Sequence, residues 1–277
     1  MLLGLFRDLQ FLQTSQLERL LVPDPFGSTD AFRQRLGKLQ GAGYLTQPSR
    51  VLRPLFAEAG RPAHRPENIF AITNKGARAV NLAGEFDKNT QRRRGQDPFS
   101  HGLLISHVYS ALRLGARAGA YEFLDWQPEN SFREMVPVTT GAGTESLPIC
   151  PDGKFVLADA ESELDYFLEC DTGSEPLKRS EIKKQSSILK KCLAYHGLWK
   201  AERDANSQVA FIVLFVTTTD ARAAALTEAA RLADPRGQGL GLFYFASTER
   251  WSLNDPEPFW SEPIWLTPSG ERRKLFE

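Results

Sequence analysis

The sequence predicts an α/β fold, α+β overall, in which a small helix-rich N-terminal part precedes a larger mixed-sheet domain. Three observations predict it. Helical periodicity dominates residues 3–40, strand and helix patterns succeed one another over residues 100–246, and the charge reverses between the two regions. Residues 1–99 hold 15 Lys or Arg against 9 Asp or Glu, a net +6, whereas residues 100–277 hold 19 against 25, a net −6. A formally neutral total thus hides a basic first third and an acidic remainder. The 277 residues suit about two domains, and 42% hydrophobic with 25% charged residues excludes a wholly disordered or collagen-like chain.

From Leu3 to Leu21 apolar residues recur at helical spacing, with Thr14-Ser15 as a cap between two short helices and Pro23 and Pro25 closing the segment. Ser28 or Thr29 caps a third helix. Phe32, Leu36 and Leu39 form its inner stripe and leave Arg33, Gln34, Arg35, Lys38 and Gln40 outward, before Gly41 and Gly43 end it. Residues 44–46 and 68–72 read as strands bracketing a basic loop that carries Arg50, Arg53, Arg61, His64 and Arg65. Thr73 then caps a helix over 74–82. Three helices, a basic hairpin and a closing helix is the order of a winged helix-turn-helix, whose third helix enters a major groove while its wing touches phosphates. The segments RLGKLQGAGYL and FAITNKGARAV resemble bacterial winged-helix modules. On this reading residues 1–83 bind double-stranded DNA through Arg33, Gln34, Arg35, Lys38, Arg50, Arg53, Arg61 and Arg65; a merely solvated face or a protein contact is the alternative. Residues 84–99, with Arg92-Arg93-Arg94, form a basic linker.

Three cysteines, Cys150, Cys170 and Cys192, without CxxC spacing argue against a disulfide framework or a zinc cage and fit a reducing cytoplasm. The apolar start is followed at once by Arg7 and Asp8 and does not resemble a signal peptide. The longest apolar run, residues 209–216, has eight residues, the length of a buried strand rather than of a membrane span. No membrane partner is expected, and a homodimer is left open.

Beyond the linker the pattern predicts a helix over 100–118, strands at 121–126, 154–158 and 164–171, a helix over 180–199, a strand at 209–218, a helix over 221–233 and a strand at 242–246. This αβββαβ order with an added αβ describes a mixed sheet flanked by helices over 100–250. A tail, 251–277, carries Trp251, Trp260 and Trp265 among prolines and reads as an extended segment packed on the domain, or as a partner surface.

With a turn at 160–163, Asp152 opposes Asp171 and Lys154 opposes Glu169, which puts Asp152, Glu169 and Asp171 on one sheet face. Facing carboxylates need a cation, solvent or raised pKa values; Mg²⁺ or Mn²⁺ suits their oxygen ligands, and a harmless solvated strand end is the alternative. Lys184, Lys191 and Tyr195 lie on one face of the following helix, Lys191 and Tyr195 at i, i+4. A lysine there orients an attacking water, and Tyr195 positions a phosphate. His101 offers a nitrogen ligand, or only a cap. A covalent tyrosine mechanism through Tyr195 lacks a surrounding histidine triad, and GAGTES at 141–146 lacks the lysine of a phosphate-binding loop.

The constellation PD…(E)xD…KxxxY, made of Asp152, Glu169, Asp171, Lys191 and Tyr195, resembles the PD-(D/E)XK restriction-endonuclease-like superfamily. More specifically, the N-terminal module followed by HGLLISHVYSAL, PDGKF, FLECDTGSEPL and KKCLAY resembles the replication-relaxation family, of bacteria and plasmids, over most of residues 1–220. The resemblance implies Asp152 and Glu169 as principal metal ligands, Asp171 as a third carboxylate, Lys191 as the basic residue of the site, and His101 nearby. It implies a Mg- or Mn-dependent DNA endonuclease or nickase of plasmid or mobile-element replication. Asp171 stands where the superfamily usually has lysine, so either Lys191 or Lys184 takes that role or the domain is degenerate, leaving a non-catalytic DNA-binding replication or transcription factor.

Overall fold

A computed structural model describes residues 2–22, 27–51, 67–81, 98–140, 143–179, 186–204 and 211–276, and these form a mixed α/β chain as the pattern predicts. It divides into two compact units, Met1–Ala118 and Gly119–Glu277, so the helix expected at the start of the second domain groups with the first unit.

In the first unit α1 (Leu2–Asp8), β1 (Leu12–Gln13), α2 (Thr14–Leu21), α3 (Thr29–Gly41), β2 (Leu45–Val51), β3 (Glu67–Ile72), α4 (Asn74–Ala79) and α5 (Pro98–Arg117) succeed one another, and the three strands form a sheet in the order β1-β3-β2. Thr14 and Ser15 lie in the first turn of α2 instead of before it. The Gln13 amide donates to Gln16 Oε1 at 2.8 Å, and the Gln16 amide group reaches the Leu103 carbonyl at 3.1 Å, so a buried glutamine does the capping. Of the two caps expected for α3, Ser28 serves, accepting from the Ala31 amide. Phe32 and Leu36 are buried beneath α3, with Leu17, Leu20, Ile69 and Phe70 in the same unit's core. The β2–β3 ladder is interrupted between Thr46 and Ser49, where Pro48 has no N–H to donate. Thr73 caps α4 as predicted, and Gly76 is required there by space: a Cβ would strike the Tyr44 carbonyl.

The second unit comprises β4 (Glu122–Pro128), β5 (Glu134–Thr140), β6 (Gly143–Ile149), β7 (Gly153–Ala158), β8 (Glu163–Asp171), α6 (Ile188–Asp204), β9 (Phe211–Thr217), α7 (Asp220–Ala233), β10 (Phe243–Ser247), α8 (Pro258–Ser261), β11 (Trp265–Leu266) and β12 (Arg272–Arg273). A seven-stranded sheet runs β12-β11-β10-β9-β8-β7-β4. β4, β7 and β8 are antiparallel neighbours, whereas β8, β9 and β10 are parallel, because α6 and α7 supply the crossovers. Helix α6 starts later than the periodicity predicts: Ser187 Oγ accepts from the Lys190 amide, and the Pro176 and Leu177 carbonyls take the amides of Ile188 and Leu189. One sheet face packs Phe167, Val213, Phe215, Phe243 and Phe245 against Leu189, Tyr195, Leu198, Leu226 and Ala230.

The hairpin β5–β6 was absent from the sequence reading. Pro137 and Pro148 obscure its alternation, yet they are tolerated in a two-stranded ribbon, and Val136, Val138, Leu147 and Ile149 bury themselves in the α6 core. The C-terminal segment packs on its unit as one of the two expectations held: Trp251 and Trp265 are fully buried around Phe259, and β11 and β12 extend the sheet edge.

Candidate functional site

The site is built at one end of the sheet, where β4 and β8 finish and β7 begins. The register differs from the expected one. Asp159 Oδ1 accepts from the amides of Glu161 and Ser162, both at 2.8 Å, and so closes the turn two residues early. Ala158 then pairs with Glu163 and Gly153 with Leu168. The Asp152 amide donates to the Leu168 carbonyl at 2.9 Å, which carries Asp152 toward Glu169 instead of Asp171. Lys154 pairs with Phe167, not Glu169, and its ammonium lies 3.6 Å from Asp165. The slip is two residues, and side-chain direction repeats every two, so Asp152, Glu169 and Asp171 still share a face.

All three are buried, and their surroundings differ. Asp152 Oδ2 accepts from the Cys170 amide at 2.7 Å. Glu169 Oε2 accepts from Lys191 Nζ at 2.7 Å and Oε1 from the Tyr195 hydroxyl at 2.7 Å, so the i, i+4 pair on α6 grips both oxygens of one carboxylate. Lys191 Nζ also reaches Glu175 Oε2 at 3.1 Å. Asp152, Glu169 and Lys191 therefore converge. Asp171 does not join them: Arg222 Nε and a terminal nitrogen hold its two oxygens at 2.7 and 3.2 Å, and Thr217 Oγ1 stands 3.3 Å from Oδ2. Asp171 was expected as a third metal ligand. A bidentate guanidinium already satisfies it, and the same arginine also binds the Glu175 carbonyl.

Burial raises the Glu169 pKa to about 7, with Lys191 opposing and Asp152 adding to the rise. Burial pulls Lys191 down, but the carboxylates of Glu169, Asp152 and Glu175 outweigh it and hold the lysine protonated, its pKa well above the usual value. Burial and then the Glu169 charge push the Tyr195 phenol well up, which makes it a poor nucleophile and counts against a covalent tyrosine mechanism.

His101 stands half-buried on α5 of the first unit. Lys184 lies outside the described residues, as do Arg53, Arg61 and Arg65; Arg50 is on β2, with its side chain undescribed. On α3, Gln34, Arg35 and Lys38 are exposed, whereas Arg33 is tied to Glu18 at 2.8 Å. Sequence reasoning missed Glu175 and Arg222. The FLECDTGSEPL segment contains Glu175 in plain view; Arg222 is brought in by the α7 cap, Thr219 Oγ1 accepting its amide, a contact with no local sequence signal toward Asp171.

The profile of the replication-relaxation family matches residues 3–214, more than three quarters of the chain. The chain belongs to the replication-relaxation family. Membership covers nearly all of the N-terminal unit and the segments that carry Asp152 and Glu169, and points to a role in replication or relaxation. No curated protein and no solved structure matches the chain. Among the described residues no helix is long and apolar enough to cross a membrane.

Proposed function

We propose that this family member is a DNA-binding, metal-dependent endonuclease or nickase, with residues 1–83 as a winged helix and the second unit as a PD-(D/E)XK-like catalytic domain. The helix–strand–helix–helix–strand–strand order and the β1-β3-β2 sheet support the first part. Exposed Gln34, Arg35 and Lys38 on α3 would face double-stranded DNA.

The observation that carries the catalytic reading is the convergence of Asp152, Glu169 and Lys191. The donor set fits a hard divalent cation: two carboxylates face each other across adjacent strands, and burial makes their joint ionisation unfavourable without added positive charge. Asp152 and Glu169 would hold Mg²⁺ or Mn²⁺, which when bound lowers the pKa of water and offsets charge developing on phosphate. Tyr195 fixes the Glu169 carboxylate. Lys191, kept protonated, offers an N–H donor toward a phosphate oxygen or an attacking water, while Glu169 and Glu175 hold its ammonium in place.

Supercoiled plasmid incubated with the wild type and Mg²⁺ or Mn²⁺ is nicked or linearised, and EDTA stops it. Asp152→Ala/Glu169→Ala shifts the plasmid in a gel but does not cut. A gel shift with no cutting under either metal sinks the catalytic reading. The second reading, a non-catalytic DNA-binding replication factor, is favoured by one observation: Lys191 is clasped by both Glu169 and Glu175, as in a structural ion-pair network.

A further inference from the structure

The sheet register carries one more acidic residue to this end of the second unit. β4 pairs with β7 as Gln127↔Lys154 and Pro128↔Gly153, so one further step brings Glu129 level with Asp152. β7 pairs with β8 as Gly153↔Leu168, and the same step brings Asp152 level with Glu169. Residues directly opposite across antiparallel strands share a face. Three adjacent strand ends thus present Glu129, Asp152 and Glu169 in a row with Asp152 at the centre. At the first of these steps the side chains follow the register, a carboxylate oxygen of Glu129 lying within 4.8 Å of one of Asp152. The turn holding Glu129 is set by the Ser131 amide on the Pro128 carbonyl, 3.0 Å, and by Asn130 in the left-handed region, φ 69°. Asp171, two residues beyond Glu169 on the same face, is held by Arg222.

We propose that Glu129, not Asp171, is the third carboxylate of the cation site, with Asp152 shared between its two neighbours. The assignment rests on the metal-dependent reading of the second unit. Mg²⁺ and Mn²⁺ take oxygen ligands, and a row of three carboxylates along one edge leaves the remaining coordination positions to water and a substrate phosphate. Glu129 is half-buried, so it also stands where solvent and substrate reach the row.

The test is Mn²⁺ titration of the full chain, followed by loss of the free-ion electron paramagnetic resonance signal, with circular dichroism as the check of folding. The wild type binds Mn²⁺; Glu129→Gln and Glu129→Ala bind at least about tenfold more weakly, and Asp171→Asn binds as the wild type does. Glu129 variants that bind with wild-type affinity, or an Asp171→Asn variant that alone loses affinity, overturn this assignment and leave the nuclease reading standing. A wild type that binds no Mn²⁺ overturns both.

Discussion

The antiparallel and parallel parts of the large sheet end side by side, and they treat acidic residues differently. Where β4, β7 and β8 meet, Asp152 faces Glu169, and burial together with the neighbouring carboxylate raises the Glu169 pKa. Where β8, β9 and β10 end, Asp171 is held by Arg222, and Asp220 by Arg250 and Ser247. Glu169 and Asp171 are two residues apart on one strand and one face, yet one stands in a group short of positive charge and the other in a matched pair. The difference comes from what each helix delivers: α6 brings Lys191 and Tyr195 to a carboxylate that already has an acidic neighbour, and α7 brings a planar guanidinium to a single one. Breaking a matched pair strands a buried charge; facing carboxylates are relieved by a cation, by solvent or by a raised pKa.

The largest effect that would break this contrast is on stability at the matched pair. Arg222→Met strands a buried Asp171 and is expected to cost about 3 kcal/mol, read from urea denaturation, whereas Arg222→Met/Asp171→Leu recovers most of the loss. A double variant as unstable as the single would mean the pair is not what Arg222 contributes. Tyr195→Phe removes one hydrogen bond to Glu169 and should cost about 1 kcal/mol by the same method. A loss several times larger would make the tyrosine structural first and a Glu169 positioner second.

A third acid sharpens the comparison. Asp234 lies 3.6 Å from His196 Nε2, but burial, with Lys200 and Arg203 adding, lowers the His196 pKa against the pull of Asp234. The imidazole is therefore favoured neutral in the folded chain. Above the ordinary histidine value of 6.5 neither state is protonated and nothing is lost; as pH falls below it the unfolded chain binds the proton first, so stability declines. Denaturation midpoints between pH 7.5 and 5 should fall less steeply for His196→Gln than for the wild type. Identical slopes would show that His196 does not titrate differently in the two states.

Much of the fold was legible because local signals agreed with it. Ser28 and Thr73 cap helices as their positions indicate, and the run 209–216 has the length and composition of a buried strand. The shared face of Asp152, Glu169 and Asp171 survived an incorrect register because a two-residue slip keeps side-chain parity. Lys191 and Tyr195 were legible as a helical pair for the same reason of periodicity. The rest depended on distant pairing. Glu129 is separated from Asp152 by the β5–β6 hairpin, so its place in the row follows only once β4 is known to pair with β7. The partner of Asp171 lies 51 residues away on α7, and no spacing rule joins them.

Melting the protein with and without Mn²⁺ distinguishes a cation site at the antiparallel end of the sheet, as proposed, from an acidic end that takes no ion. A ligand at about 100 times its Kd adds about 2.7 kcal/mol, which for a unit of this size raises the Tm by about 5 °C or more. The wild type should show that rise and Glu169→Gln should lose it. No shift in the wild type, or an equal shift in Glu169→Gln, would contradict the proposed site.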